Sequence, residues 1–99
     1  MNEKTKELLS EGVKYFREGE FDSAEQYFKE ALEIEPKNAL VHNNYALMLK
    51  RMEQCDRAEK HYKAALEIEP MNTQIQKNYG SLLKAKAKTA ASKGKEVKK

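Results

Sequence analysis

The sequence predicts an all-α stack of antiparallel helical hairpins, and three observations carry that prediction. Residues 5–38 align without gaps on residues 39–72, an offset of 34. Within each segment the apolar residues recur at helical spacing, and no run of Val, Ile or Thr alternates with polar residues over the length of a strand. A self-match at such a period marks a supersecondary unit that cannot bury its apolar face alone and stacks on its neighbours to do so.

The second halves of the two units nearly coincide. Phe28-Lys29-Glu30-Ala31-Leu32-Glu33-Ile34-Glu35-Pro36 stands over Tyr62-Lys63-Ala64-Ala65-Leu66-Glu67-Ile68-Glu69-Pro70, and Asp22, Ala24 and Glu25 stand over Asp56, Ala58 and Glu59. In the first unit Leu8, Gly12 and Tyr15 stripe one helix and Ala24, Phe28 and Ala31 a second; Tyr45, Ala46 and Leu49 with Ala58, Tyr62 and Ala65 repeat the arrangement. Asp22 and Asp56 are expected to cap the second helices, each with a glutamate three residues on, Glu25 and Glu59, in a capping box. Pro36 and Pro70 end those helices because proline disfavours helix in the residue before it, and Asn38 and Asn72 cap the helices after them. Glu53 stands where the first unit has Gly19, so the second hairpin turn is expected to differ slightly. A third unit begins with Gln76, Tyr79, Gly80 and Leu83, but its second helix would carry Ser92, Glu96 and Lys99, which build no core. The stack is thus expected to comprise repeat one (5–38), repeat two (39–72) and a capping helix (73–91), with a flexible basic tail over 92–99.

This pattern resembles the tetratricopeptide repeat (TPR), whose units place a bulky residue, Leu-Gly, Tyr, Ala, Phe, Ala and Pro at set offsets. The first unit reads Leu8, Glu11-Gly12, Tyr15, Ala24, Phe28, Ala31, Pro36; the second reads His42, Tyr45-Ala46, Leu49, Ala58, Tyr62, Ala65, Pro70. The resemblance covers roughly residues 5–84. It implies a right-handed superhelix whose first helices line a concave groove, and a protein–protein interaction module that holds a peptide segment or helix of a partner there. Projected onto this chain, the groove comprises Leu9, Val13 and Arg17 from the first helix, Leu40, Asn43, Asn44, Leu47 and Arg51 from the third, and Gln74 and Asn78 from the fifth. Leu9, Val13, Leu40 and Leu47 would form an exposed apolar strip, which a partner would cover. Co-chaperones of the family grip the C-terminal carboxylate of heat-shock chaperones with Lys, Asn and Arg at places held here by Leu9, Val13, Asn44, Gln74 and Asn78. Only the asparagine remains, so no chaperone-tail binding is expected.

Composition excludes other classes of function. Ninety-nine residues suit one small domain, too thin for a deep catalytic cleft. Cys55 stands alone, so there is neither an internal disulfide framework nor a cysteine zinc site. His42 and His61 are the only histidines, lie on different helices and have no partner at metal-ligand spacing. The glycines are dispersed, so no phosphate-cradling loop forms. No catalytic residue, metal site or cofactor is expected. No apolar run approaches the ~20 residues that span a bilayer, and the first residues resemble no targeting segment, which points to the cytoplasm. Residues 84–99 hold seven lysines against one acid, a charge of +6, whereas residues 1–83 hold twelve basic and fifteen acidic residues, a charge of −3. Nucleic-acid or anionic-surface binding through that tail is the alternative function, although the tail lacks arginine and interleaved aromatics. Self-association into a homodimer is the third.

Overall fold

A computed structural model describes the backbone of residues 1–97 and the side chains of residues 1–89. Five helices follow one another: α1 (Glu3–Arg17), α2 (Phe21–Ile34), α3 (Ala39–Arg51), α4 (Cys55–Ile68) and α5 (Thr73–Val97). The pairs α1/α2 and α3/α4 are antiparallel hairpins, with α3 packed on α2 and α5 on α4, while α1, α3 and α5 lie side by side. This is the all-α hairpin stack the repeat predicts.

Each hairpin closes around small residues on both helices and one aromatic residue. Ala24, Phe28 and Ala31 of α2 are fully buried, as are Ala58, Tyr62 and Ala65 of α4. Small side chains let the backbones approach, and the ring fills the space between them. The fit at Gly12 is tight: a Cβ there would lie 2.6 Å from Cε1 of Phe28. Junctions between hairpins use the next layer of aromatics, with Phe28 against Tyr45 (ring centroids 5.7 Å apart) and Tyr62 against Tyr79 (5.9 Å).

Three local expectations change. Asp22 and Asp56 do not cap: they sit in the first turns of α2 and α4, and the N-cap positions fall to Glu20 and Gln54, which form no side-chain cap. The reason is the tight link before them. Glu20 N–H donates to the Tyr15 carbonyl at 2.9 Å and Gln54 N–H to that of Leu49 at 2.9 Å, so one helix runs into the next with no residue spare for a separate cap. Secondly, the two hairpin turns share one shape, with Gly19 at φ 78° and Glu53 at φ 62°, both left-handed. Glu53 accepts the strain that a glycine avoids. Thirdly, α5 runs past residue 91 to Val97, through the Ser92–Lys95 segment where release was expected. One glycine costs a helix only ~1 kcal/mol, and alanines and lysines around it are good helix formers. Lys98 and Lys99, the end of the expected tail, lie outside the described residues.

The asparagine caps do form. Oδ1 of Asn38 accepts from Val41 N–H at 3.0 Å and Oδ1 of Asn72 from Ile75 N–H at 3.1 Å. Asn2 does the same for α1, accepting from Thr5 N–H at 2.8 Å.

Candidate functional site

The candidate surface lies along α1 and α3. Leu9, Val13 and Arg17 of α1 and Leu40 and Asn44 of α3 line one cleft of about 650 Å³, together with Ser10, Lys14 and Glu18. Helical spacing explains the grouping, since residues three and four apart share a face. The expected apolar strip is only partly open. Leu40 is 48% exposed at the rim, whereas Leu9 is 8% exposed and belongs to the core, and Val13 and Leu47 are half-buried against it.

The remaining residues of the expected groove are engaged within the protein. Asn43 is buried and accepts at Oδ1 from Asn78 Nδ2 at 3.0 Å, which ties α3 to α5. Gln74 donates to Oδ1 of Asn78 at 3.1 Å, and Asn44 to the Leu40 carbonyl at 2.9 Å. Arg51 covers the Phe16 ring, its guanidinium carbon 4.9 Å from the centroid. Gln74, Asn78, Leu47 and Arg51 are thus not among the residues lining the cleft at α1 and α3.

Charge around the cleft is mixed, with Lys14, Arg17 and Glu18 among its lining residues. The stronger electrostatic features lie at the hairpin junctions. Burial pushes the Glu25 carboxyl up, but bonds from Tyr45 and Arg57 outweigh it and hold the group below its ordinary value. Lys86, bonded to Glu59 at 2.7 Å and 3.1 Å from Asp56, lowers the Glu59 carboxyl and is itself raised by the pair. That lysine belongs to the segment expected to bind polyanions, and the structure ties it to α4.

Across α3 and α4 the structure also brings together two histidines that helical spacing does not pair. Nδ1 of His42 lies 3.0 Å from Nδ1 of His61, and Nε2 of His42 lies 2.8 Å from the Pro36 carbonyl. A carbonyl only accepts, so His42 carries its proton on Nε2 and its Nδ1 accepts from His61. Burial, then the neighbouring His42 and Arg57, depress the His61 imidazole to about 4. Register carries the one sequence signal for this pair: 34 residues earlier stand Leu8 and Tyr27, which line a common surface cleft. Two imidazoles hydrogen-bonded to each other make no metal centre, and among the described residues no group of three His, Cys, Asp or Glu could hold one. Nor is any described helix long and apolar enough to cross a membrane. Cys55, half-buried, opens α4 at the place Phe21 takes in α2.

Set against known proteins, residues 15–87 match the family model described as tetratricopeptide repeat. A search of the curated proteins finds no match to the chain.

Proposed function

Since the chain belongs to the tetratricopeptide repeat family, whose members serve broadly as protein–protein interaction scaffolds, we propose that it holds a peptide segment of a partner protein in the cleft between α1 and α3. Leu40 carries this reading. A leucine 48% exposed beside the half-buried Val13 is an apolar contact that a partner side chain would complete. Lys14 and Arg17 flank it and favour an acidic residue one or two positions along the bound segment. Asn44 gives one amide hydrogen to the Leu40 carbonyl, which leaves its second N–H and its side-chain carbonyl oxygen for the peptide backbone.

The test is to replace Leu40 with Asp and Val13 with Ser together, sparing Leu9 because it belongs to the core. Crosslinked partners captured by the unmodified chain should be lost while the helical circular dichroism and Tm stay unchanged. Retention of the same partners by that variant, correctly folded, refutes the cleft as their site.

A further inference from the structure

The two complete hairpins define the helix that α5 lacks. In the first hairpin Gly12 receives the Phe28 ring, and in the second Ala46 is covered by α4, whose Tyr62 is fully buried. The equivalent residue on α5 is Gly80, and nothing among the described residues comes within 4 Å of the space above it. Leu83 is 43% exposed where its counterpart Leu49 is fully buried. Because α5 continues as one helix to Val97, the described chain does not turn back to cover this face. The opposite end of the stack differs. α1 carries Glu7, Glu11 and Lys14 where α3 carries Val41, Tyr45 and Met48 and α5 carries Ile75, Tyr79 and Leu82, so its outward stripe is polar and sealed.

Charge selects the occupant. From Thr73 to Thr89 α5 holds four lysines and no acid, and of the four Lys86 is already paired with Glu59 and Asp56 of α4. The helix that fills this position on α1 is α2, which holds four acids, Asp22, Glu25, Glu30 and Glu33, against the single Lys29. Lys84 stands where Phe16 meets Phe21 at the start of α2 (ring centroids 6.2 Å apart), hence beside the first turn of an incoming helix. That turn is acidic in both occupied cases, through Asp22 and Asp56. An acid there satisfies the helix dipole and Lys84 at once. Two copies of α5 face to face would instead oppose lysine to lysine.

We infer that the free face of α5, centred on Gly80 and Leu83, is a second docking seat, separate from the α1/α3 cleft, for an acidic amphipathic helix of a partner protein. The helix lies antiparallel to α5, sets a Phe or Tyr over Gly80, and places alanine-sized residues one turn to either side, as Ala24 and Ala31 flank Phe28.

The probe is a fluorescein-labelled, lactam-bridged peptide with the sequence of residues 20–35, titrated into the full chain and followed by anisotropy and by amide shifts. Saturable binding below about 1 mM is expected, with shifts centred on Gly80 and Leu83. Gly80→Leu fills the seat without touching the core and should weaken binding ~10-fold or more with Tm maintained, and Lys84→Glu should weaken it several-fold. A peptide carrying Phe28→Ala should not bind. The proposal fails if the peptide does not saturate, if Gly80→Leu leaves affinity unchanged, or if the shifts cluster at Val13 and Leu40. It fails equally if the chain sediments as a dimer that Gly80→Leu returns to monomer, since the occupant is then a second copy.

Discussion

The Tyr45 hydroxyl donates to the Glu25 carboxylate at 2.6 Å, and 34 residues on Tyr79 donates to Glu59 at the same distance, so both hairpin junctions are fastened by one bond in one register. The settings differ. Each carboxylate also accepts from a cation, Glu25 from Arg57 at 2.5 Å and Glu59 from Lys86 at 2.7 Å, but Tyr45 is 3% exposed whereas Tyr79 is only half-buried. Burial and the Glu25 charge both push the Tyr45 phenol up, so it stays a donor at any ordinary pH. Tyr45→Phe should therefore cost about 1 to 2 kcal/mol in urea denaturation, because it strips a donor from a half-buried carboxylate. Tyr79→Phe, at the more open junction, should cost clearly less. Equal losses would mean that burial does not set the strength of this bond.

The two interior glycines make opposite predictions. Gly12→Ala drives a methyl group into the Phe28 ring and should destabilise by about 1 to 3 kcal/mol, less what alanine returns in helix propensity. Gly80→Ala meets nothing within 4 Å and should stabilise by up to about 1 kcal/mol. Thermal melts of the two variants read the difference directly, and a Gly12→Ala protein that melts higher than the parent contradicts the contact.

Tyr62 fills the centre of the second hairpin, where Phe28 fills the first, and its hydroxyl is buried without a hydrogen-bond partner among the described residues. Burial alone pushes that phenol up to about 12. Removing an unsatisfied oxygen while keeping the ring should help, so Tyr62→Phe is expected to stabilise by about 1 kcal/mol. A Tm that falls instead would indicate that the oxygen has a partner in solution.

The nature of the repeat decides which features were legible in the sequence. A period of 34 places every helix because each unit buries the same small and aromatic residues, and Asn38 and Asn72 announce their caps through side chains that can do little else between two helices. Asp22 misled because an aspartate favours the first turn of a helix as well as its cap, and only the continuous link from Tyr15 to Glu20 decides between them. Glu53 looked like a departure in a turn whose geometry proves common to both units. At the groove, the offset rule identifies a helix face but not how closely adjacent helices pack, so Leu9 and Asn43 went inward while Leu40 stayed out. His42 and His61 meet across two helices, where no within-helix spacing applies.

Within that pair, His61 is expected to make the stack sensitive to acid. His61 is held neutral in the folded state by burial and by His42, at about 4 against an ordinary 6.5. The unfolded chain therefore binds more protons between those two values, and stability falls as the pH drops through that window. Glu25 adds to the loss at the lower end, because a carboxylate whose folded value is lowered contributes stability above the unfolded value that disappears as it is protonated. Moving from pH 7 to pH 5 should cost about 1 to 2 kcal/mol at His61, before any contribution from other groups. Replacing the pair with its counterparts from the first hairpin, His42→Leu with His61→Tyr, should remove most of that difference, since Leu8 and Tyr27 hold the same register positions there. Urea denaturation of both proteins at pH 7 and pH 5 checks this. If the double variant loses as much stability on acidification as the parent, the response originates elsewhere, with the carboxylates as the remaining candidates.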